Sequence, residues 1–547
     1  MPTSILRIPP EVLQKIALYA NATLGSWSEV GPPKELYNCL LTCRTFHVAL
    51  SSDNASELYF LLFAQKFDIR GPIYRLGAPV VREHAPYEMR RRFQAIQIFK
   101  NRNLYHPDLT EALWIAYLMV EDADTSQKNV RQLLRANLPT FLSQYLHLRL
   151  YEGASENGGW PVMTEEISLA IALSWTLASK HLMIHEEREV CEKMMRLLEP
   201  IVPSSPSTSS ASSFSSAPTS PTSPSSVFTD DPYPISVLPP RDISYFGTVK
   251  RKARPPSASI FATLLYFVRA DVLTKYKIPP HVTCQTREEA NLRGLTGPCI
   301  GDVRQFYEQC RTHFAAFPGI DVGINSSAIA SSPDTILCQP SLYQLGRLSG
   351  QWGGSYIYPC NAMYTGALPK TSARKALYIS LEEHFCYDEC SAVPRDDPES
   401  GTTNAWLPPD IRAVETEAGM QFSDGKGSFN TKYETYRYGA NKVRGQIADV
   451  IITGKVEDRH VAAWGEPSRI IGRVRLHDGL MVLVRYSPLG DTSQRQVLRG
   501  YVTSSQNLVG RIACNSGPDD ANVYYEGVFS LGKDHTHVAN KPGLKVS

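Results

Sequence analysis

The sequence predicts an α+β protein: a helical N-terminal region, a disordered Ser/Pro linker and a C-terminal antiparallel β-barrel. Three observations carry that prediction. Before position 200, apolar residues recur at three- and four-residue spacing. Residues 203–226 are almost wholly Ser, Pro, Thr and Ala, too polar to bury a core. From about Leu348 onward, short β-branched and aromatic runs alternate with Gly, Pro, Asn, Asp and Ser clusters. A chain of 547 residues exceeds a single core, and 42% apolar residues suffice for more than one.

In chain order, Val12, Leu13, Ile16, Ala17 and Ala20 give one apolar helical face. Leu36, Cys39, Leu40, Cys43, Phe46 and Leu50 give a second. Pro10 suits a first helical position, because its missing N–H has no partner there anyway, and Glu11 complements the helix dipole. Two or three short helices over 1–50 carry more apolar side chain than they can bury among themselves, so part of that face wants a partner. A helical linker domain follows over 51–200. Its stripes are Leu113, Ala116, Tyr117 and Val120, then Val130 to Tyr145, Ile167 to Ser174 and Val190 to Leu198. Arg90-Arg91-Arg92 is expected on a solvated helix exterior. Residues 201–257 read as the disordered linker, in which Ser205, Ser220 and Ser223 precede Pro. Lys250-Arg251-Lys252-Ala253-Arg254 at its end is read either as a nuclear-import signal or as a solvated linker end.

Residues 258–344 read as a helical segment packing on the barrel, with helices over Ser259–Tyr276 and Asp302–Phe317. Ile260–Val268 is apolar all round, as in a buried helix. The barrel spans 345–535. Its strands are expected at Ser355–Tyr358, Ala376–Leu381, Gln446–Thr453, Ile470–Leu476, Leu480–Tyr486, Gln496–Thr503, Leu508–Cys514 and Val523–Leu531. Short links imply antiparallel neighbours, and closure hides the edges of so long a meander. Gly472, Gly500, Gly510 and Gly527 fall inside strands, where a sheet bends or a backbone approaches closely. Residues 536–547 are a tail.

Composition narrows function by exclusion. A net charge of +2 gives no global pull toward nucleic acid or membrane, and no run approaches a transmembrane span. The N-terminus lacks a signal-peptide layout, and 11 irregularly spaced Cys argue against a disulfide framework. The expected location is cytoplasm and/or nucleus. No Gly-x-Ser-x-Gly elbow, P-loop, dinucleotide fingerprint or His-Glu-x-x-His occurs, so no catalytic residue and no cofactor are expected. His384, Cys386 and Cys390 supply a fragment of a zinc set without a fourth ligand, so no metal is expected.

Residues 5–50 resemble an F-box. The matching residues are Ile8-Pro9-Pro10-Glu11-Val12-Leu13-Gln14-Lys15-Ile16, then Leu40-Leu41-Thr42-Cys43-Arg44-Thr45-Phe46. The spacer between the two helices, Ala22–Lys34, is longer than the family's usual one. The C-terminal part is similar to fungal F-box proteins whose substrate module is a lipocalin-like barrel, through Leu348–Tyr356, Tyr433–Tyr436, Asp449–Gly454, Gly472–Leu480 and Tyr525–Phe529. The resemblance implies a substrate-recognition subunit of a Skp1–cullin–F-box ubiquitin ligase, without catalysis of its own. It implies a Skp1-like adaptor and cullin complex as partners and a protein substrate of unknown identity. By that resemblance Ile8, Pro9, Leu13, Ile16, Leu40, Cys43 and Phe46 grip the adaptor. Tyr, Trp and Arg dominate binding hot spots, so Trp352, Tyr356, Trp464, Arg473 and Arg485 are the candidates for holding substrate. A barrel that binds a small apolar ligand without a ligase role is the alternative.

Overall fold

The computed structural model describes residues 8–23, 31–202, 238–247, 250–273, 278–309, 312, 314, 343–357, 374–395, 404–417, 419–438, 445–465, 467–476, 479–486, 494–503, 506–516 and 524–534. They fall into two compact units. The first draws on Met1–Leu182, Ile235–Ala258 and Phe314–Gln339, the second on Met183–Pro234, Ser259–His313 and Pro340–Ser547. The Ser/Pro run at 203–226 and the tail at 536–547 lie outside the described residues.

The first unit is helical: α1 (Pro10–Thr23), α2 (Lys34–Thr42), α3 (Arg44–Leu50), α4 (Ser56–Lys66), α5 (Arg70–Leu76), α6 (Ala78–Lys100), α7 (Leu109–Glu121), α8 (Lys128–Arg135), α9 (Leu138–Arg149) and α10 (Glu165–Thr176). Every residue of α7 from Ala112 to Val120 is buried, and α6 and α10 pack on it. A helix apolar on all sides belongs at the centre of a core. Thr164 caps α10 by accepting from the Ile167 N–H (3.3 Å), with Glu165 and Glu166 in the first turn.

Two expectations are corrected here. Arg90 faces solvent, but Arg91 and Arg92 are buried, Arg92 completely. Arg92 donates to Glu88 and Asp122 and lies over the rings of Phe63, Phe67 and Phe246. The expected linker 201–257 also contains an antiparallel hairpin, β1 (Arg241–Ser244) with β2 (Lys250–Ala253). Ile243, Tyr245 and Phe246 anchor it in the core, and Tyr245 Oη donates to Asp122 (2.8 Å). The basic run thus forms a paired strand with Lys250 and Lys252 outward and Ala253 buried. Three apolar side chains in four positions were enough to order an otherwise polar segment.

The second unit combines helices with a closed sheet. Its helices include α12 (Arg188–Leu198), α13 (Ala258–Leu273), α14 (Arg287–Leu292) and α15 (Ile300–Gln309), and α11 (Lys180–Ile184) straddles the division between the units. Burial of Ala262 to Val268 bears out the apolar run of α13. Among the described residues no helix is long and apolar enough to cross a membrane.

The sheet strands are β3 (Gly350–Ile357), β4 (Arg374–Cys386), β5 (Arg412–Thr416), β6 (Gly419–Ser423), β7 (Asn430–Thr435), β8 (Asp449–Lys455), β9 (Arg469–Val474), β10 (Met481–Tyr486), β11 (Gln494–Val502), β12 (Asn507–Ser516) and β13 (Tyr524–Lys533). Eight of them close an antiparallel barrel in the order β3-β13-β12-β11-β10-β9-β8-β4, with β4 pairing back to β3. Strands β7, β6 and β5 continue from the outer part of β4 as a three-stranded flap. Alternation sorts the barrel into two faces. Trp352, Tyr356, Leu377, Ile379, Leu381, Phe385, Met481, Leu483, Leu498, Ile512 and Phe529 make the inner cluster. Ile451, Ile471, Val482, Val484 and Val497 point outward, under Met420, Phe422 and Tyr433 of the flap. Of the glycines expected at bends or close approaches, Gly472, Gly500 and Gly510 are at close approaches: a Cβ on Gly510 would meet the Arg499 carbonyl oxygen at 1.9 Å, opposite Gly500 in register.

One end of the barrel is plugged by residues 343–349. The buried Glu383 carboxylate accepts from the N–H groups of Gly346 (2.6 Å), Leu348 (2.6 Å) and Ser349 (2.7 Å). Lys533 Nζ donates to the Gly346 and Arg347 carbonyls and lies 5.5 Å from the Trp352 ring centre.

Candidate functional site

The N-terminal helices divide their apolar residues between a core and an exposed stripe. Leu13 and Ala17 are buried, with Leu36, Ala49 and Leu50. Gln14 Nε2 donates to the Ala49 carbonyl (3.2 Å) and ties α1 to α3. Leu13, expected on the adaptor face, is only 4% exposed and belongs to this core. One residue away is about 100° around a helix, so Val12, Ile16 and Tyr19 form a separate stripe at i, i+4, i+7. That stripe faces outward, with Val12 at 44%, Ile16 at 49% and Tyr19 at 65% exposure. Tyr37 and Leu41 on α2 and Val48 on α3 are exposed as well. Of the other expected residues, Pro9 is exposed, and Ile8, Leu40, Cys43 and Phe46 are half-buried. The helical spacing was legible. Which side of each helix pays into the core was not, because both sides are apolar.

The five expected substrate residues do not form one site. Trp352 is 1% exposed and sits against the plugged end, and Tyr356 faces inward with it. Trp464 lies on α16 (Asp458–Trp464), with its ring 5.2 Å from that of Phe306. Arg473 points outward from β9 into a buried clamp. Its guanidinium holds Asp449 through two bonds (2.9 and 2.8 Å) and donates to the carbonyls of Val393 (2.7 Å) and Trp406 (3.0 Å). Asp449 also accepts from Tyr433 Oη (2.7 Å), so this group fastens the flap to the barrel. As substrate contacts, Trp352 and Arg473 are therefore corrected: both are inside the protein's own packing.

Arg485 does sit at a barrel end, the one opposite the plug. It shares the inward parity of Met481 and Leu483, and donates to Ser468 Oγ (2.7 Å) and Gln496 Oε1 (3.0 Å). Beside it, Tyr486 is in register with Arg469 on β9 and Arg495 on β11. Arg495 lies 5.5 Å from the Tyr486 ring centre. Burial raises the Tyr486 phenol above its ordinary range, and Arg495 and Arg469 pull it back. Arg469 is exposed and reaches the Ala413 carbonyl (3.3 Å). The result is two guanidinium groups, on β9 and β11, flanking a phenol on β10, with Arg485 next to them on the inner face; sequence reading found only Arg485.

The zinc fragment comes apart in the fold. The two ring nitrogens of His384 lie against Thr435 Oγ1 (2.9 Å) and Thr453 Oγ1 (2.7 Å), and the Cys386 sulfur is near the Asp388 carbonyl (3.7 Å). The Cys390 side chain lies outside the described residues. Among the described residues no three His, Cys, Asp or Glu side chains converge as a metal set. Burial lowers the His384 pKa to about 4, below its ordinary 6.5. The unfolded chain therefore takes up a proton that the folded chain refuses. Stability from this group is full above pH 6.5, falls as the pH drops toward 4, and is gone below that, a change of roughly 3 kcal/mol. Denaturant titrations at several pH values should show that loss in the wild type. His384→Gln should flatten it; an unchanged slope in that variant would assign the loss to other groups.

No protein-family model, curated protein or solved structure matches this chain.

Proposed function

We propose that the chain is the substrate-recognition subunit of a Skp1–cullin–F-box ubiquitin ligase. Its N-terminal helices dock on a Skp1-like adaptor and its barrel holds a target protein. The observation that carries this reading is the outward stripe Val12, Ile16 and Tyr19 with Tyr37, Leu41 and Val48, on helices whose own core is already supplied by Leu13, Ala17, Leu36 and Leu50. It lies within the segment that resembles an F-box. The role asks for no chemistry from this chain. Holding a lysine of the target near the loaded ubiquitin carrier is a proximity effect. Against the small-ligand alternative weigh the large side chains that fill the barrel interior, among them Trp352, Phe385 and Phe529.

The test is copurification of the full-length chain with a Skp1-like adaptor, comparing wild type with Ile16→Asp plus Leu41→Asp. Both side chains are exposed, so the variant should fold normally by circular dichroism. A carboxylate carried into an apolar interface costs several kcal/mol, so binding should weaken by about 100-fold or more. Absence of binding by the wild type, or equal binding by the folded variant, would overturn the reading.

A further inference from the structure

We propose that the row Arg469–Tyr486–Arg495, with Arg485 on its inner side, is the subsite by which the barrel grips an anionic segment of its target. The ligand is a short extended polypeptide run carrying carboxylates or phosphates. The inference rests on the reading of the barrel as a target-holding module and names the chemistry that module selects.

Three observations point there. First, four arginines of the second unit are neutralised by the chain itself: Arg473 by Asp449, Arg374 by Asp271, Arg287 by Asp302 and Arg269 by Glu186. Among the described residues, Arg469 and Arg495 form no ion pair. Glu415, exposed on the neighbouring β5, pairs with neither. Second, the register holds them together. Tyr486 faces Arg469 on one side and Arg495 on the other, so two adjacent strand spacings set them roughly 10 Å apart, about the length of three extended residues. Both cations act on the phenol between them, an electrostatic sign of the same proximity. Third, the guanidinium fork suits carboxylate and phosphate oxygens, and clusters of arginine are a recurring way of reading acidic or phosphorylated segments. A nucleic-acid strand fits less well. The chain's net charge is only +2, and the row offers a single ring, where strand-binding surfaces stack successive bases on several.

The experiment uses the full-length chain and fluorescent octapeptides: octaglutamate, an alternating phosphoserine–alanine peptide, and their glutamine and serine counterparts. Anisotropy should show an anionic peptide bound at least tenfold more tightly than its neutral control, with affinity falling as salt rises. Preference for phosphoserine assigns phosphate as the source of the charge; comparable binding of octaglutamate assigns carboxylate. Arg469→Ala with Arg495→Ala should lose at least tenfold of that affinity, and the corresponding Lys pair should retain part of it. Equal binding of anionic and neutral peptides, an unaffected alanine pair, or tighter binding of octauridylate than of either peptide would each overturn the proposal. Adaptor copurification on the same preparations separates the two readings. Adaptor bound without anionic peptide sinks the subsite alone; anionic peptide bound without adaptor sinks the ligase reading and leaves the subsite standing.

Discussion

Arg92→Ala should cost the first unit about 3–5 kcal/mol, the range for removing one partner of a buried ion pair. The guanidinium is fully buried and joins five parts of the unit. Nε donates to Glu88 (3.0 Å) on its own helix, and Nη2 donates to Asp122 (2.9 Å) at the end of α7. Nη1 reaches Asn129 (3.3 Å) on α8. Phe63 and Phe67, from α4 and its end, and Phe246, from the hairpin segment, lie within 5.1–5.4 Å of its carbon. Burial opposes the charge, but Glu88 and Asp122 outweigh it and hold the pKa above the ordinary arginine value. Alanine would leave two carboxylates facing a cavity lined by aromatic rings. Asp122 would keep Tyr245 and Arg75 as partners, and Glu88 would keep Arg91. At that cost the thermal midpoint of a unit this size falls by roughly 10 °C. Arg92→Met with Glu88→Gln should recover part of the loss by removing one stranded charge, which a double-mutant cycle measures. A loss below 1 kcal/mol for Arg92→Ala would mean that the network is ornamental and the ring stack carries the junction.

That arginine also marks where the sequence stopped being readable. Three consecutive arginines look like a solvated face, and Arg90 is one. Burial of Arg91 and Arg92 depends on Glu111, Asp122 and Asn129, partners from 20 to 37 positions away that no local pattern joins to them. The hairpin 241–253 was missed for the related reason that Tyr245 and Phe246 gain their order from a distant core. Periodicity within one element was legible: the stripes of α7 to α12, the apolar run of α13 and all eight barrel strands stand near their expected positions. The flap β5–β7 was not, because Arg412–Thr416 is mostly exposed and carries no inward stripe. At the candidate sites the same limit applies. The apolar excess of the first helices was visible, but the side on which it emerges had to await the packing of Leu13. The arginine row exists only through the pairing of β9, β10 and β11.

Arg473→Ala should be the most costly change in the second unit, again about 3–5 kcal/mol, with a distinctive local signature. Arg473 is 2% exposed and answers both oxygens of Asp449 and the carbonyls of Val393 and Trp406, with the Pro394 carbonyl at 3.5 Å. Its loss leaves Asp449 with Tyr433 alone and strands two carbonyls under the flap. Tyr433 Oη accepts the Val393 N–H (2.9 Å) while donating to Asp449, and burial followed by the Asp449 charge holds its phenol above the ordinary range, so it stays a neutral donor and supplies none of the positive charge that Arg473 gave. Arg473→Lys keeps the charge but not the fork, and should recover less than half of the loss. Because the clamp holds Val393 and the flap rather than the barrel ladder, limited proteolysis should cut within 404–435 before it cuts the strands β8 to β13. Sequence reading placed Arg473 among the residues that hold substrate, and the two roles predict opposite results. A folded, protease-resistant Arg473→Ala that has lost only target binding would restore the substrate-contact assignment. Early flap cleavage in Arg473→Ala, with anionic-peptide binding lost only in the Arg469/Arg495 pair, would separate fastening from recognition on the same side of the sheet.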